Sequence, residues 1–211
     1  NILMLIDEII NNPDVEYAEP NFIVTIDDFN AGDVMYYETD GEEDHQNESS
    51  ETSSVTIEVD DPLYSLQTNI TSTNIDDVWD QYTTGDGTQV IAIIDTGVDY
   101  NHPDLEANIW VNTEELNGVE GYDDDGNGYV DDIRGWDFVN QDNAPLDDNM
   151  HGTHVAGIAG AVGNNGIGIA GAAWNVKLMP IKVFQSTGQG NITTIAAGEE
   201  YAYMNGADIL N

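Results

Sequence analysis

The chain has 211 residues, long enough to bury a sizeable core, and it has no cysteine, so disulfide and thiolate chemistry are excluded. Its 41 acidic residues against 3 basic ones give a formal net charge of -38, which argues against nucleic acid and anionic membranes as partners, and no apolar run is long enough to span a bilayer. Two compatible origins fit this acidity: adaptation to high salt, where screening relieves self-repulsion, and saturation of several cation sites.

The sequence begins at Asn1, with no initiator methionine or signal peptide, and stops at Asn211 in mid-pattern. It is therefore expected to be a piece of a longer precursor. Apolar residues at Ile2, Leu3, Leu5, Ile6, Ile9 and Ile10 predict an amphipathic helix ending at Asn11-Asn12-Pro13. Val15 to Val24 then reads as a strand interrupted at Pro20. Residues 27–60 turn polar and one-signed in charge, a composition that cannot support a core and predicts a disordered linker. Such a linker is a natural place for maturation cleavage.

A globular domain is expected over 61–211. A short helix around Ile75 to Gln81 and a turn at Gly85-Asp86-Gly87 lead into the β-branched run Gln89 to Ile94, which reads as a central strand covered on both faces. The run ends in Asp95-Thr96-Gly97, a carboxylate at the rim where open α/β sheets carry their active sites. Taken alone, that tripeptide also resembles an aspartic-protease motif.

The loop from Asn112 to Asp132 contains Asp123, Asp125 and Asn127 at alternate positions before Gly128, with the Tyr129 carbonyl and Asp131 following. Calcium takes six to eight oxygens from such a tight loop. The spacing matches the first half of an EF-hand, but Arg134 stands where the closing glutamate belongs. A solvated acidic loop is the alternative. Next, His151-Gly152-Thr153-His154-Val155-Ala156-Gly157-Ile158-Ala159-Gly160 puts a histidine at the mouth of a small-residue helix that depends on burial for its stability. A satisfied core histidine is the bland reading of His151.

Together, Ile93 to Leu105 and His151 to Gly157 resemble the aspartate and histidine signatures of subtilisin-like serine peptidases, in that family's order. An aspartic protease has no use for the histidine block. The resemblance implies an α/β, three-layer fold with a mostly parallel central sheet, of which this chain would hold the N-terminal part. It also implies a polypeptide substrate, a secreted protein, and a catalytic pair, Asp95 and His151. Residues 1–26, through their helix-then-strand order and Tyr17-Ala18-Glu19-Pro20-Asn21, resemble the tail of the family's α+β propeptide, an intramolecular inhibitor whose last residues lie in the substrate cleft.

Two further calcium sites follow from the resemblance. Asp137, Asn140 and Asp142 are similar to a calcium loop of thermitase-like members, placed to brace the loop carrying His151. Asp61, Asp104, Val162, Asn165, Ile167 and Ile169 match a tight site joining the start of the mature domain to the bend after the histidine helix. Either stretch also reads as an ordinary polar or glycine-rich turn.

Val176 to Phe184 is the next core strand, and the resemblance makes Gly188, Gln189 and Gly190 an exposed edge for substrate backbone. A helix from Ile192 to Met204 and a strand entered at Ala207 close the sequence. The family's oxyanion asparagine and nucleophilic serine would lie beyond, so the chain by itself is not expected to hydrolyse peptides. The rival expectation is a non-catalytic, calcium-binding extracellular module or pseudoenzyme of the same fold.

Overall fold

The computed structural model describes residues 23–25 and 57–211. The expected helix over 2–11, the strand residues before Ile23 and the linker over 27–56 lie outside the described residues. In chain order the elements are β1 (Ile23–Thr25), α1 (Thr68–Ser72), α2 (Ile75–Gln81), β2 (Val90–Asp95), α3 (Thr113–Leu116), β3 (Trp136–Asp137), α4 (His151–Gly160), β4 (Lys177–Lys182), β5 (Gln189–Asn191), α5 (Ile192–Met204) and β6 (Ile209–Leu210).

Four strands form a parallel sheet in the order β3-β4-β2-β6. Its central strands are apolar at nearly every position because helices cover both faces. On one face Ala92, Met179 and Ile181 pack with Tyr201 and Ala202 of α5; on the other, Ile93 and Leu178 pack with Ala156 of α4 and with Ala161. This gives the helix-sheet-helix layering expected of the α/β class. Strand β4 ends two residues before the expected Phe184, because the amides of Val183 and Phe184 both turn onto the Asp95 carbonyl, at 2.8 and 3.2 Å.

A satellite cluster of Ile70, Trp79, Ala170 and Trp174 takes in Ile57 and Val59, and the Asp60 amide donates to Asn164 Oδ1 at 2.9 Å. Residues 57–60, on the linker side of the expected boundary at 61, thus pack on the folded unit. At the far end of the domain, α5 starts in a capping box in which Asn191 Oδ1 accepts from the Thr194 amide and Thr194 Oγ1 accepts from the Asn191 amide.

Helix α4 has no side-chain cap and little intrinsic propensity, and close approach to the sheet compensates. A Cβ on Gly152 would lie 2.1 Å from the Gly97 carbonyl oxygen and 3.0 Å from Asp95 Cβ. Only glycine lets the first turn of α4 touch the end of β2. Apart from the main sheet, β1 pairs antiparallel with β5 in the register Ile23 with Asn191, Val24 with Gly190 and Thr25 with Gln189. Among the described residues no helix is long and apolar enough to cross a membrane.

Candidate active site

Alternation along β2 puts Asp95 on the same face as Ile91 and Ile93, the face that α4 covers. His151 opens α4 at that spot, and its Nδ1 lies 2.8 Å from both Oδ1 and Oδ2 of Asp95. The carboxylate is nearly buried, at 9% side-chain exposure, whereas the imidazole retains 25%. A carboxylate can only accept, so Nδ1 carries a proton, and in the neutral ring the lone pair is that of Nε2. The Thr96 amide donates to Asp95 Oδ1 at 2.6 Å, which fixes the carboxylate's rotation.

The loop before His151 is held under strain. Met150, the residue preceding the helix, has φ 86°, a left-handed conformation that costs a non-glycine residue on the order of 1 kcal/mol or more. Asp147 supports it by accepting from the amides of Asn149, Met150 and Thr153 and from the hydroxyls of Thr153 and Thr96. Burial acts to raise the Asp147 pKa, but the bonds from Thr153, Asn149 and Thr96 outweigh it and hold the carboxyl below its ordinary value. Thr96 Oγ1 in turn accepts from the Gly152 amide at 3.0 Å. The segments carrying Asp95 and His151 are thereby joined twice over, once through the dyad and once through Thr96 and Asp147.

Of the expected substrate edge, Gln189 and Gly190 lie in β5 and Gly188 ends the preceding turn, with φ 74° and its amide on the Gln185 carbonyl. The partner strand on that edge is β1.

The three calcium candidates fold into distinct loops. In the insertion, Glu115, Asp125 and Asp132 bring carboxylate oxygens within 4.8 Å of one another, with Asn112 and Asn127 donating amide protons among them. Asp123 instead accepts from the amides of Gly126, Asn127 and Gly128, and Asp131 accepts from Gly121. Tyr129 packs against Trp136, with centroids 5.0 Å apart and ring planes tilted by 59°. Burial raises the Asp132 pKa, with the Asp125 charge adding to it and bonds from Tyr201, Asn127 and Asn112 opposing it. Tyr201 is kept protonated by burial and by Asp132, to which its hydroxyl donates. Three carboxylates crowded against a buried wall form a hard-oxygen donor set of the kind a calcium ion takes.

Asp61 and Asp104, both buried, converge on the bend after α4. Asp61 accepts from the amides of Asn164 and Asn165, and Asp104 accepts from Asn165 Nδ2 and the Ile169 amide, while its own carbonyl accepts from Val162. A Cβ at Gly168 would strike Asp104 Oδ2 at 2.3 Å, so the Asp104 carboxylate is cradled by backbone. Ile167 closes the bend by donating to Asn165 Oδ1. In the third loop Asp137 accepts from the amides of Val139 and Asn140 and from Asn140 Nδ2, while Asp142 accepts from Ala144.

Sequence reasoning missed Glu115, Asp132, Thr96 and Asp147. Glu115 sits three residues after the helix cap Asn112, a capping-box spacing that was legible. Asp132 differed from its neighbour Asp131 by nothing the sequence displays.

Residues 86–211 match the Subtilase family of peptidases. The chain is similar to the thermophilic serine proteinase of Bacillus sp. (strain AK1), 34% identical over 214 residues that span 100% of this chain and 40% of that protein. It is similar also to subtilisin-like protease 1 of Plasmodium berghei, 42% identical over 152 residues, 72% of this chain and 25% of that protein. With the thermitase of Thermoactinomyces vulgaris it shares 39% identity over 121 residues, 57% of this chain and 35% of that protein. The chain thus spans between 25% and 40% of the length of these relatives. With the motifs, the layered parallel sheet and the family match all in agreement, the chain belongs to the subtilase family.

Proposed function

We propose that the complete protein is a serine endopeptidase and that this chain supplies the base half of its catalytic triad. The observation that carries the reading is the contact between His151 Nδ1 and both carboxylate oxygens of Asp95. His151 Nε2 takes the proton of a serine hydroxyl as that oxygen attacks the peptide carbonyl, then returns it to the leaving amine. Asp95 holds the tautomer and offsets the imidazolium charge. Among the described residues no serine hydroxyl bonds His151, and the nucleophile is assigned to the part of the relatives' length that this chain does not span.

Residues 1–26 are read as the end of an inhibitory propeptide, and the pairing of β1 with β5 supports this, because it occupies the edge that substrate backbone would use. The similarity to the Bacillus proteinase, which runs over the whole chain, fits the same reading. Calcium is the cofactor proposed, with Glu115, Asp125 and Asp132 as one ligand set, Asp61, Asp104 and Asn165 with the carbonyls of Val162, Ile167 and Ile169 as a second, and Asp137, Asn140 and Asp142 as a third. The role of the ion is to neutralise and brace these loops. A secreted zymogen is the matching setting, since extracellular calcium suffices for sites of this kind.

The test is labelling of the complete protein with a fluorophosphonate probe, alongside peptide hydrolysis. Labelling that is lost in His151→Ala supports the peptidase. A folded protein that neither labels nor hydrolyses would leave only a calcium-binding scaffold.

A further inference from the structure

Lys182 is one of three basic residues in the chain, set against 41 acidic ones, and it is buried to 1% exposure. Burying an ammonium group costs several kcal/mol unless it is paired and hydrogen-bonded. Each of its three protons has an acceptor on a different segment of the site. Nζ donates at 2.6 Å to the carbonyl of Thr96, the residue after Asp95; at 3.0 Å to the carbonyl of Phe184, on the way to β5; and at 2.5 Å to Oδ1 of Asp148, three residues before His151. Its Cα is the cross-strand partner of Asp95 on one side and of Asp137 on the other.

The charged groups around it are therefore Asp95 on β2, Asp137 on β3, and Asp147 and Asp148 in the loop. Asp95 is engaged by His151 and the Thr96 amide, Asp137 by its own loop, and Asp147 by Thr153 and Thr96. Asp148, with a half-exposed side chain, is the ion-pair partner.

We propose that Lys182 is a positioning residue for the Asp95–His151 dyad. One ammonium group clamps together the ends of the aspartate strand, the histidine loop and the segment leading to the substrate edge. The chemistry suits a lysine: an ammonium spreads three protons tetrahedrally from one atom whereas a guanidinium confines its donors to one plane, and an apolar side chain leaves two buried carbonyls without this donor.

The inference rests on the peptidase reading, and one experiment separates the two. Lys182→Met and Asp148→Asn are compared with the parent in the complete protein by active-site titration with the fluorophosphonate, by kcat and KM, and by the pH profile of kcat/KM. Lys182→Met is expected to lower kcat per titrated site by about 10- to 100-fold, with KM within about twofold. Its acid limb is expected at higher pH, because removing the ammonium leaves the carboxylates of Asp95 and Asp148 uncompensated beside the imidazole. Asp148→Asn moves that limb to lower pH, and the double variant loses no more rate than Lys182→Met alone.

Opposite shifts are not produced by mere loosening. An activity loss matched by an equal loss of titratable sites, or acid limbs that stay put in both variants, overturns the proposal. If Lys182→Met does not fold, Asp148→Asn decides by the direction of its limb. If the parent protein does not label, the peptidase reading fails instead, and the clamp is judged in this chain by the His151 titration in NMR spectra, where the same two opposite shifts are expected.

Discussion

Asp95 grips His151 with both oxygens, each 2.8 Å from Nδ1, while its Oδ1 also holds the Thr96 amide at 2.6 Å. The carboxylate is thus fixed before substrate arrives, and it presents acceptors to a ring nitrogen that must donate. Asp95→Asn keeps the shape but lets an amide donate to Nδ1, which moves the imidazole proton to Nε2 and removes the base. By the general behaviour of such triads, kcat in the complete protein should fall about 10⁴-fold with KM little changed. Steady-state kinetics on a titrated preparation checks this, and a loss under about tenfold contradicts the assignment.

Asp147 ties the strained Met150 turn to the first turn of α4. Its folded-state pKa lies below the ordinary carboxylate value, so the stability it contributes is present above an unfolded pKa of about 4 and is lost as pH falls through the lower folded value. Asp147→Asn should destabilise the domain by about 1 to 3 kcal/mol at neutral pH and flatten the fall in stability on acidification. Urea unfolding at pH 7 and at pH 3 measures both effects. Equal stability of the two proteins at pH 7 counts against this role.

Much of this was legible in the chain. The apolar strand before Asp95 and the helix over Ile192 to Met204 follow from local composition and the closing glycine, and the helix opened by His151 from its motif rather than from any cap. What escaped was set by contacts distant in sequence. Asp132 joins Glu115 and Asp125 only because the insertion folds back on itself and onto Tyr201 of α5, 69 residues away. Lys182 is indistinguishable in sequence from a solvated strand-end lysine, and its role depends on Asp148, 34 residues upstream in another loop. Nor does composition reveal that Ile57 and Val59 reach the cluster around Trp79 and Trp174.

The calcium reading predicts a stability change on chelation. An ion that binds only the folded state adds about 2.7 kcal/mol at a free concentration a hundred times its Kd. The parent protein should therefore lose thermal stability in a chelator. Asp125→Asn and Asp104→Asn should each shrink the rise in Tm on adding calcium, and their effects should add, because the two ligand sets share no residue. Calorimetric scans with and without the ion decide it: a Tm indifferent to calcium removes the cofactor.

On the proposed propeptide reading, the pairing of β1 with β5 sets the leading segment against substrate for the edge at Gln189 and Gly190. Antiparallel neighbours alternate between hydrogen-bonded and open pairs, so proline at Val24, or at both Ile23 and Thr25, removes a donor from one set or the other. Each backbone bond contributes about 0.5 to 1.5 kcal/mol net, which corresponds to a factor of about 2 to 12 in affinity. A peptide of residues 1–26 added to the mature enzyme should inhibit competitively. One of the two proline peptides should be weaker, by about that factor if it is the single-proline peptide or by about its square if it is the two-proline peptide, and the other nearly unchanged. Identical inhibition constants for all three peptides would show that backbone pairing at this edge does not hold the segment.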